Sequence, residues 1–197
     1  MQAHKILGKY LGRHPLLTPV LEWDGAAPSM VVVIPAYKEQ AYLQRTLLSL
    51  SAAAAPSGRV LVVVVINTGE KDSPALVAEQ KAFAARLRSE ISTYLPLWMK
   101  LEVLEAYGLS AKFFGAGLAR KIGMDAAVEL FYRLEQAEGI LLTMDADTLV
   151  RADYFREVEQ WFSAEKRQAA NLFFEHPLEG SDFSEEMYEG ITRYELH

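Results

Sequence analysis

The chain has no cysteine, which excludes disulfides, thiolate metal sites and a cysteine nucleophile, and leaves the redox compartment open. It has no excess of positive charge: 20 Lys and Arg stand against 26 Asp and Glu, a net charge of −6. That balance argues against a nucleic-acid binder working through a basic surface, though a local basic pocket for a small anion remains open. Nor is there a long hydrophobic run. The longest, VLVVVVI at 60–66, is far too short to span a bilayer. The opening stretch MQAHKILGKYLGRHPLLTPVLEWDG carries scattered charges where a signal peptide would be continuously apolar. A soluble, cytoplasmic chain without a transmembrane segment is expected. Gly-Lys-Ser/Thr is absent, so a phosphate loop of that type is excluded.

Neither a repeat nor a linker divides the 197 residues, which suffice for one substantial core. The expected layout is an extension over 1–29, a core over 30–177, and an acidic loop with the start of a further helix over 178–197. Hydrophobic residues make up 51% and charged residues 23%, ordinary for a globular protein.

Residues 30–36, MVVVIPA, read as a strand buried on both faces and closed by Pro35. Helix formers follow over 39–55, until Pro56 and Gly58. A second buried strand, RVLVVVVINTGEKDSP (59–74), runs into a polar turn. A long helix is expected over 75–95, a third strand over 100–107, and a second long helix over 115–139, entered through glycines and closed by Gly139. The strand GILLTMDAD follows, then a helix over 152–166 and a last strand over 169–177. Strands rich in Val, Ile and Leu alternating with helices predict an α/β fold: a mostly parallel sheet with helices on both faces. Ligands of such sheets sit at the carboxyl ends of the strands.

After the first strand, in PAYKEQ, Tyr37 could stack on a flat ring and Glu39 could accept a ring N–H or a ribose hydroxyl. Glu39 equally suits the first turn of a helix, where negative charge favours the dipole. After the second strand, Asn67 offers a donor and an acceptor for the edge of a base, and Asn-Thr-Gly is also good turn chemistry. Gly115 and Gly117 invite a dinucleotide-binding reading, but Arg120 stands where a third glycine or alanine would pack helix against strand. Arg120, with Lys112 and Lys121, could pair with phosphate at a helix start or belong to a solvated face.

In LLTMDADTLV (141–150), alternation puts Asp145 and Asp147 on one side with Ala146 opposite. Two carboxylates held together repel unless a cation or a shared proton relieves them. A magnesium-type ion takes one or two carboxylates and completes its shell with water and phosphate oxygens. One of the pair could instead cap the next helix.

Together VVVIPAYKE, VLVVVVINTGEKDSP, GLARKIGMDAA and ILLTMDAD resemble, in order and spacing, the signature of the family-2 glycosyltransferases over about residues 30–175. The resemblance implies the GT-A fold, a nucleotide-diphospho-sugar donor of the UDP- or GDP-sugar type, and Mn2+ or Mg2+. The expected location is the cytoplasm, peripheral to the inner face of the membrane. By it, Pro35, Ala36, Tyr37 and Glu39 line the base and ribose pocket, and Asn67 stands where the family has a base-reading aspartate. Arg120 matches the family arginine near base and phosphates; Lys112 stays a candidate for the nucleotide-sugar from the residues alone. Asp145, Ala146 and Asp147 hold the ribose edge and the diphosphate, the two aspartates through the metal. The chain departs from the family pattern at Lys38, at Lys121 and across INTGEKDS. The family's general base, well downstream of the Asp-x-Asp, has no counterpart; Glu185 and Glu186 are adjacent acids in a loop-like stretch. The expectation is the donor-binding portion of a longer, inverting, metal-dependent enzyme that transfers a sugar to the hydroxyl of an unknown acceptor and is inactive alone. A nucleotidyltransferase and a non-catalytic nucleotide-binding module are the alternatives.

Overall fold

The computed structural model describes residues 2–164, 167–176, 178, 180 and 183–196, apart from the side chains of 91 and 92. Four parallel strands form one sheet: β1 (Met30–Ala36), β2 (Val60–Gly69), β3 (Met99–Leu109) and β4 (Ile140–Thr143), in the order β3-β2-β1-β4. Helix α2 (Gln40–Ala52) joins β1 to β2, α3 (Pro74–Ser89) joins β2 to β3, and α4 (Ala116–Arg133) joins β3 to β4. Helix α1 (Gln2–Leu11) precedes the sheet; α5 (Tyr154–Ser163) and α6 (Glu185–Glu195) follow it.

Every residue of β1 and β2 is buried, as a strand covered on both faces requires. Alternate side chains serve two cores. Met30, Val32, Ile34, Val60, Val62 and Val64 meet α2, α3 and α5 through Leu43, Leu47, Phe83, Leu87 and Phe155. Val31, Val33, Leu61, Val63 and Val65 meet α4 through Ala119, Ile122, Ala126 and Leu130. The doubly wound, Rossmann-like α/β class expected from the sequence is thus the class observed. The order reverses between β1 and β4, so the crevice at their carboxyl ends is the topological switch point where such sheets bind ligands.

Helix α1 packs along α4. Leu7 joins the α4-side core, His4 stacks on Tyr132 with ring centroids 4.3 Å apart, and the Tyr10 hydroxyl donates to Asp125 Oδ1 at 2.6 Å. Asp125 is buried and also paired with Lys121. Hydrogen bonding to that carboxylate holds the Tyr10 hydroxyl proton above its ordinary range.

Several boundaries differ from expectation. Helix α4 stops at Arg133, not at Gly139. Glu135 takes a left-handed conformation (φ 55°), its N–H reaches Tyr132 O at 3.2 Å, and Gln136 N–H reaches Phe131 O at 2.8 Å, which is a Schellman cap. Gly139 serves packing instead, since a Cβ there would meet the Phe131 ring at 2.4 Å. Helix α3 ends at Ser89, and Ile91–Tyr94 form a 3-10 turn ahead of Pro96. Strand β4 ends at Thr143, so the aspartates lie beyond it, and α5 is shorter at both ends than 152–166, of which 165 and 166 lie outside the described residues. The expected strand over 169–177 does not form: residues 169–176 make no ladder, and Leu172, Phe173 and Phe174 are exposed. An apolar run becomes a strand only where a neighbour supplies pairing and cover, and these residues have neither; Pro177 lies outside the described residues. No helix among the described residues is long and apolar enough to cross a membrane.

Candidate functional site

A cleft of about 400 Å³ opens at the carboxyl end of the sheet. It is lined by Pro35, Ala36, Tyr37 and Glu39 after β1, Asn67 on β2, Phe114, Gly115, Ala116 and Arg120 at the start of α4, and Asp145, Ala146 and Asp147 after β4. Nine of the ten residues singled out from the sequence therefore meet in one place. Lys112 does not line the cleft; it is exposed, with its ammonium 5.1 Å from the centroid of the Phe113 ring.

Asn67 lies in the deepest layer. It is 1% exposed, on a strand end in register with Ala106, and neither its amide nitrogen nor its amide oxygen has a hydrogen-bond partner within the protein. Buried amides are nearly always satisfied, and leaving one unpaired costs about 1–3 kcal/mol. A donor and an acceptor are thus left without partners where β2 ends.

One wall is aromatic. Tyr37 meets Phe114 edge to face, with centroids 5.0 Å apart and planes at 80°. The Tyr37 hydroxyl donates to Asp72 Oδ1 at 2.9 Å, and Asp72 Oδ2 accepts from Gly69 N–H at 2.8 Å. Asp72, in the polar turn after β2, therefore fixes the ring. Between Tyr37 and Glu39 the chain turns through Lys38 at φ 62°, a left-handed conformation that costs a non-glycine residue about 1–2 kcal/mol. Strain of that kind collects at functional sites.

The opposite side carries charge. Asp145 and Asp147 are exposed while Ala146 between them is buried, as strand-like alternation predicts. The loop is fixed from below: Thr46 of α2 donates its hydroxyl to Ala146 O at 2.6 Å, and Ala54 N–H reaches Ala152 O at 2.6 Å. Arg120 is ion-paired with Asp145, whereas Asp147 has no ion pair among the described residues. Burial, and then the charges of Asp147 and Asp145, push the Glu39 carboxyl above the usual carboxylate range. Negative charge is therefore in excess at this rim.

Gly115 opens α4 at φ 145°, in backbone space that only glycine occupies readily, and no side chain caps the helix. Gly115 and Ala116 at this uncapped amino end line the cleft beside Arg120, and a helix amino end suits an anion.

A divalent cation fits this donor set in part. Among the described residues no group of three or more His, Cys, Asp or Glu is placed so that it could hold a metal ion by itself. Asp145 and Asp147 supply the one or two carboxylates that a magnesium-type ion takes when phosphate oxygens and water complete its shell, and the negative rim sensed by Glu39 favours a cation there.

Phe114, Gly115 and Ala116 were not anticipated as lining residues, nor Asp72 as the anchor of Tyr37. The available signal was an aromatic directly before a helix-opening glycine, in KFFGAG. For Asp72 the Asp-Ser-Pro turn hid a longer-range role. Glu185 and Glu186 lie exposed in the first turn of α6, outside the lining of the cleft.

Fold and cleft define an open α/β domain with a polar cleft at its switch point. No family model matches the chain, and no curated protein sequence matches it. Among solved structures, it is similar to the crystal structure of S. aureus TarS 1-349, with 20% identity over 70% of this chain and 33% of that one, and a TM-score of 0.44. The same protein in complex with UDP-GlcNAc gives 20% identity, 70% and 32% coverage and a TM-score of 0.44; with UDP the score is 0.43. The chain spans about a third of the length of these matched structures. The function proposed below rests on the cleft's own residues.

Proposed function

We propose that this domain binds a nucleotide-diphospho-sugar and forms the donor side of a glycosyltransferase. The observation that carries the reading is the buried, doubly unpartnered amide of Asn67 at the floor of the cleft. A nucleobase edge supplies both a donor and an acceptor, so it can satisfy both ends of the amide at once. Tyr37, held by Asp72, flanks the base, and Glu39 accepts from a ribose hydroxyl. Arg120 and the open amino end of α4 take the diphosphate. Asp145 and Asp147 would hold Mn2+ or Mg2+, which when bound neutralises charge on the diphosphate.

In the transfer an acceptor hydroxyl oxygen bonds to the anomeric carbon from the face opposite the diphosphate. The bond from that carbon to the diphosphate oxygen breaks, the configuration inverts, and the hydroxyl proton passes to a general base. Arg120 and the α4 N–H groups stabilise the charge gathering on the leaving group. A second reading, nucleotide binding without turnover, is favoured because, among the described residues, no carboxylate beyond Glu39, Asp145 and Asp147 lines the cleft.

The test is a thermal shift with UDP, GDP, dTDP and CDP, with and without manganese, on wild type and Asp147→Asn. A ligand at a hundred times its dissociation constant adds about 2.7 kcal/mol, roughly 5–10 °C for a domain of this size. A shift with one base, dependent on manganese and lost in Asp147→Asn, is expected. No shift with any of the four overturns the donor-site reading; a shift indifferent to manganese and to Asp147→Asn overturns the metal.

A further inference from the structure

The amino-terminal segment carries a charge opposite to that of the rest of the chain. Residues 1–21 contain Lys5, Lys9 and Arg13 and no acid, while all 26 Asp and Glu lie beyond them. Lys5 and Lys9, four residues apart, share one face of α1, and Arg13 lies in the turn just beyond it. Leu7 and Tyr10 turn toward α4, and Gln2, Lys5, Ile6, Lys9 and Arg13 point away from it and are exposed. None of the three cations forms an ion pair with a carboxylate among the described residues. Ile6, amid the cations, is 58% exposed, and the chain leaving the helix exposes Leu17 at 64% and Val20 at 52%.

We propose that this exposed face of α1, with the Leu17–Val20 stretch, adsorbs to an anionic lipid bilayer. Lysine and arginine reach lipid phosphates through long aliphatic stems while isolated aliphatic side chains enter the acyl boundary. A surface that mixes the two suits a bilayer better than it suits a polyanion in water, which has no place for Ile6, Leu17 and Val20. Contact with α4 already orders the helix, so adsorption need not fold it. Helix α1 runs antiparallel to α4, since His4 meets Tyr132 and Tyr10 meets Asp125. Its Arg13 end therefore points toward the end of α4 that carries Arg120. The inference is independent of what the cleft binds.

The experiment is co-sedimentation of the full chain with vesicles of phosphatidylcholine alone and of phosphatidylcholine with about a third phosphatidylglycerol, at low and high salt. Three proteins are compared: wild type, Lys5→Gln/Lys9→Gln/Arg13→Gln, and Ile6→Ser/Leu17→Ser, each first shown to melt cooperatively. Wild type is expected on the anionic vesicles only, and less so in high salt. Each cation near the surface contributes roughly fivefold, so the triple variant should bind about a hundredfold more weakly. The serine variant should also be weaker. No binding by wild type, equal binding to both vesicles, or full binding by the triple variant overturns the proposal. So does retention on single-stranded RNA, or a dimer lost in the triple variant, without vesicle binding.

Discussion

The body of the sheet and its carboxyl end are built on opposite terms. From Met30 to Ile34 and from Val60 to Ile66 every side chain is apolar and 0% exposed, and each contributes roughly 1.5–3 kcal/mol of burial. A few residues further along the same strands, Asn67 is buried with its amide unsatisfied, Lys38 takes a left-handed turn, and Glu39 is held near two other carboxylates. The body spends nothing on ligand chemistry, and the end accepts several destabilising features within one cleft. Such a division is expected where stability and binding compete for the same residues. Three such features stand together at the cleft, while left-handed Glu135 and the unpartnered buried Gln80 Nε2 lie outside its lining.

The comparison breaks most visibly in the body. Leu130 is 0% exposed at the centre of the α4-side core, and Leu130→Ala should cost about 2–5 kcal/mol. Urea unfolding would show a lower midpoint at unchanged slope, and the protein that remains folded should keep its ligand affinity. An equal loss of affinity would mean that body and cleft are not separable.

Asn67→Leu should move the other way. Replacing an unpaired buried amide by a side chain of similar size removes the desolvation cost, and a gain of about 1–3 kcal/mol is expected. The same change should abolish the shift produced by the nucleotide. A destabilised Asn67→Leu protein would show that the amide is satisfied in the free domain, and the observation that carries the proposed function would fall.

Much of this was legible in the chain itself. Unbroken Val and Ile runs specify doubly covered strands, and strands with that burial leave only their carboxyl ends for polar residues. Pro35, Asn67 and Asp145 could therefore be placed at one rim from the sequence. What could not be read were the relations across the fold. Asp72 looked like part of a turn because its partner Tyr37 is 35 residues away. Phe114 looked like an ordinary residue before a helix, since nothing local announces that it faces Tyr37. The end of α4 was misread because Glu135, not a glycine, takes the left-handed cap, while Gly139 answers to the Phe131 ring. The LFF run was misread as a strand because its sequence lacks any cue that no neighbour pairs with it. Helix α1 was passed over, and its registry with α4 rests on Tyr10 and Asp125, 115 residues apart.

The sharpest probe of the cleft's own terms is also the gentlest. The Glu39 carboxyl is held above its ordinary value, first by burial and then by Asp147 and Asp145. Above that raised value the folded domain carries a charge that it disfavours relative to the unfolded chain, so the penalty is complete at neutral and alkaline pH. As pH falls through the folded value toward the unfolded one, the folded state takes up its proton first and stability is regained. Glu39→Gln removes the charge at every pH. It should therefore raise Tm at pH 8 by roughly 1–2 °C, and its melting curve should converge with wild type below the ordinary carboxylate range. If Glu39 also accepts a ribose hydroxyl, the variant will bind nucleotide more weakly at the pH where it is more stable. Opposite signs of the two effects at one pH would place Glu39 with Asn67 among the residues kept for the ligand. Stability lost at pH 8 would instead assign Glu39 to the fold.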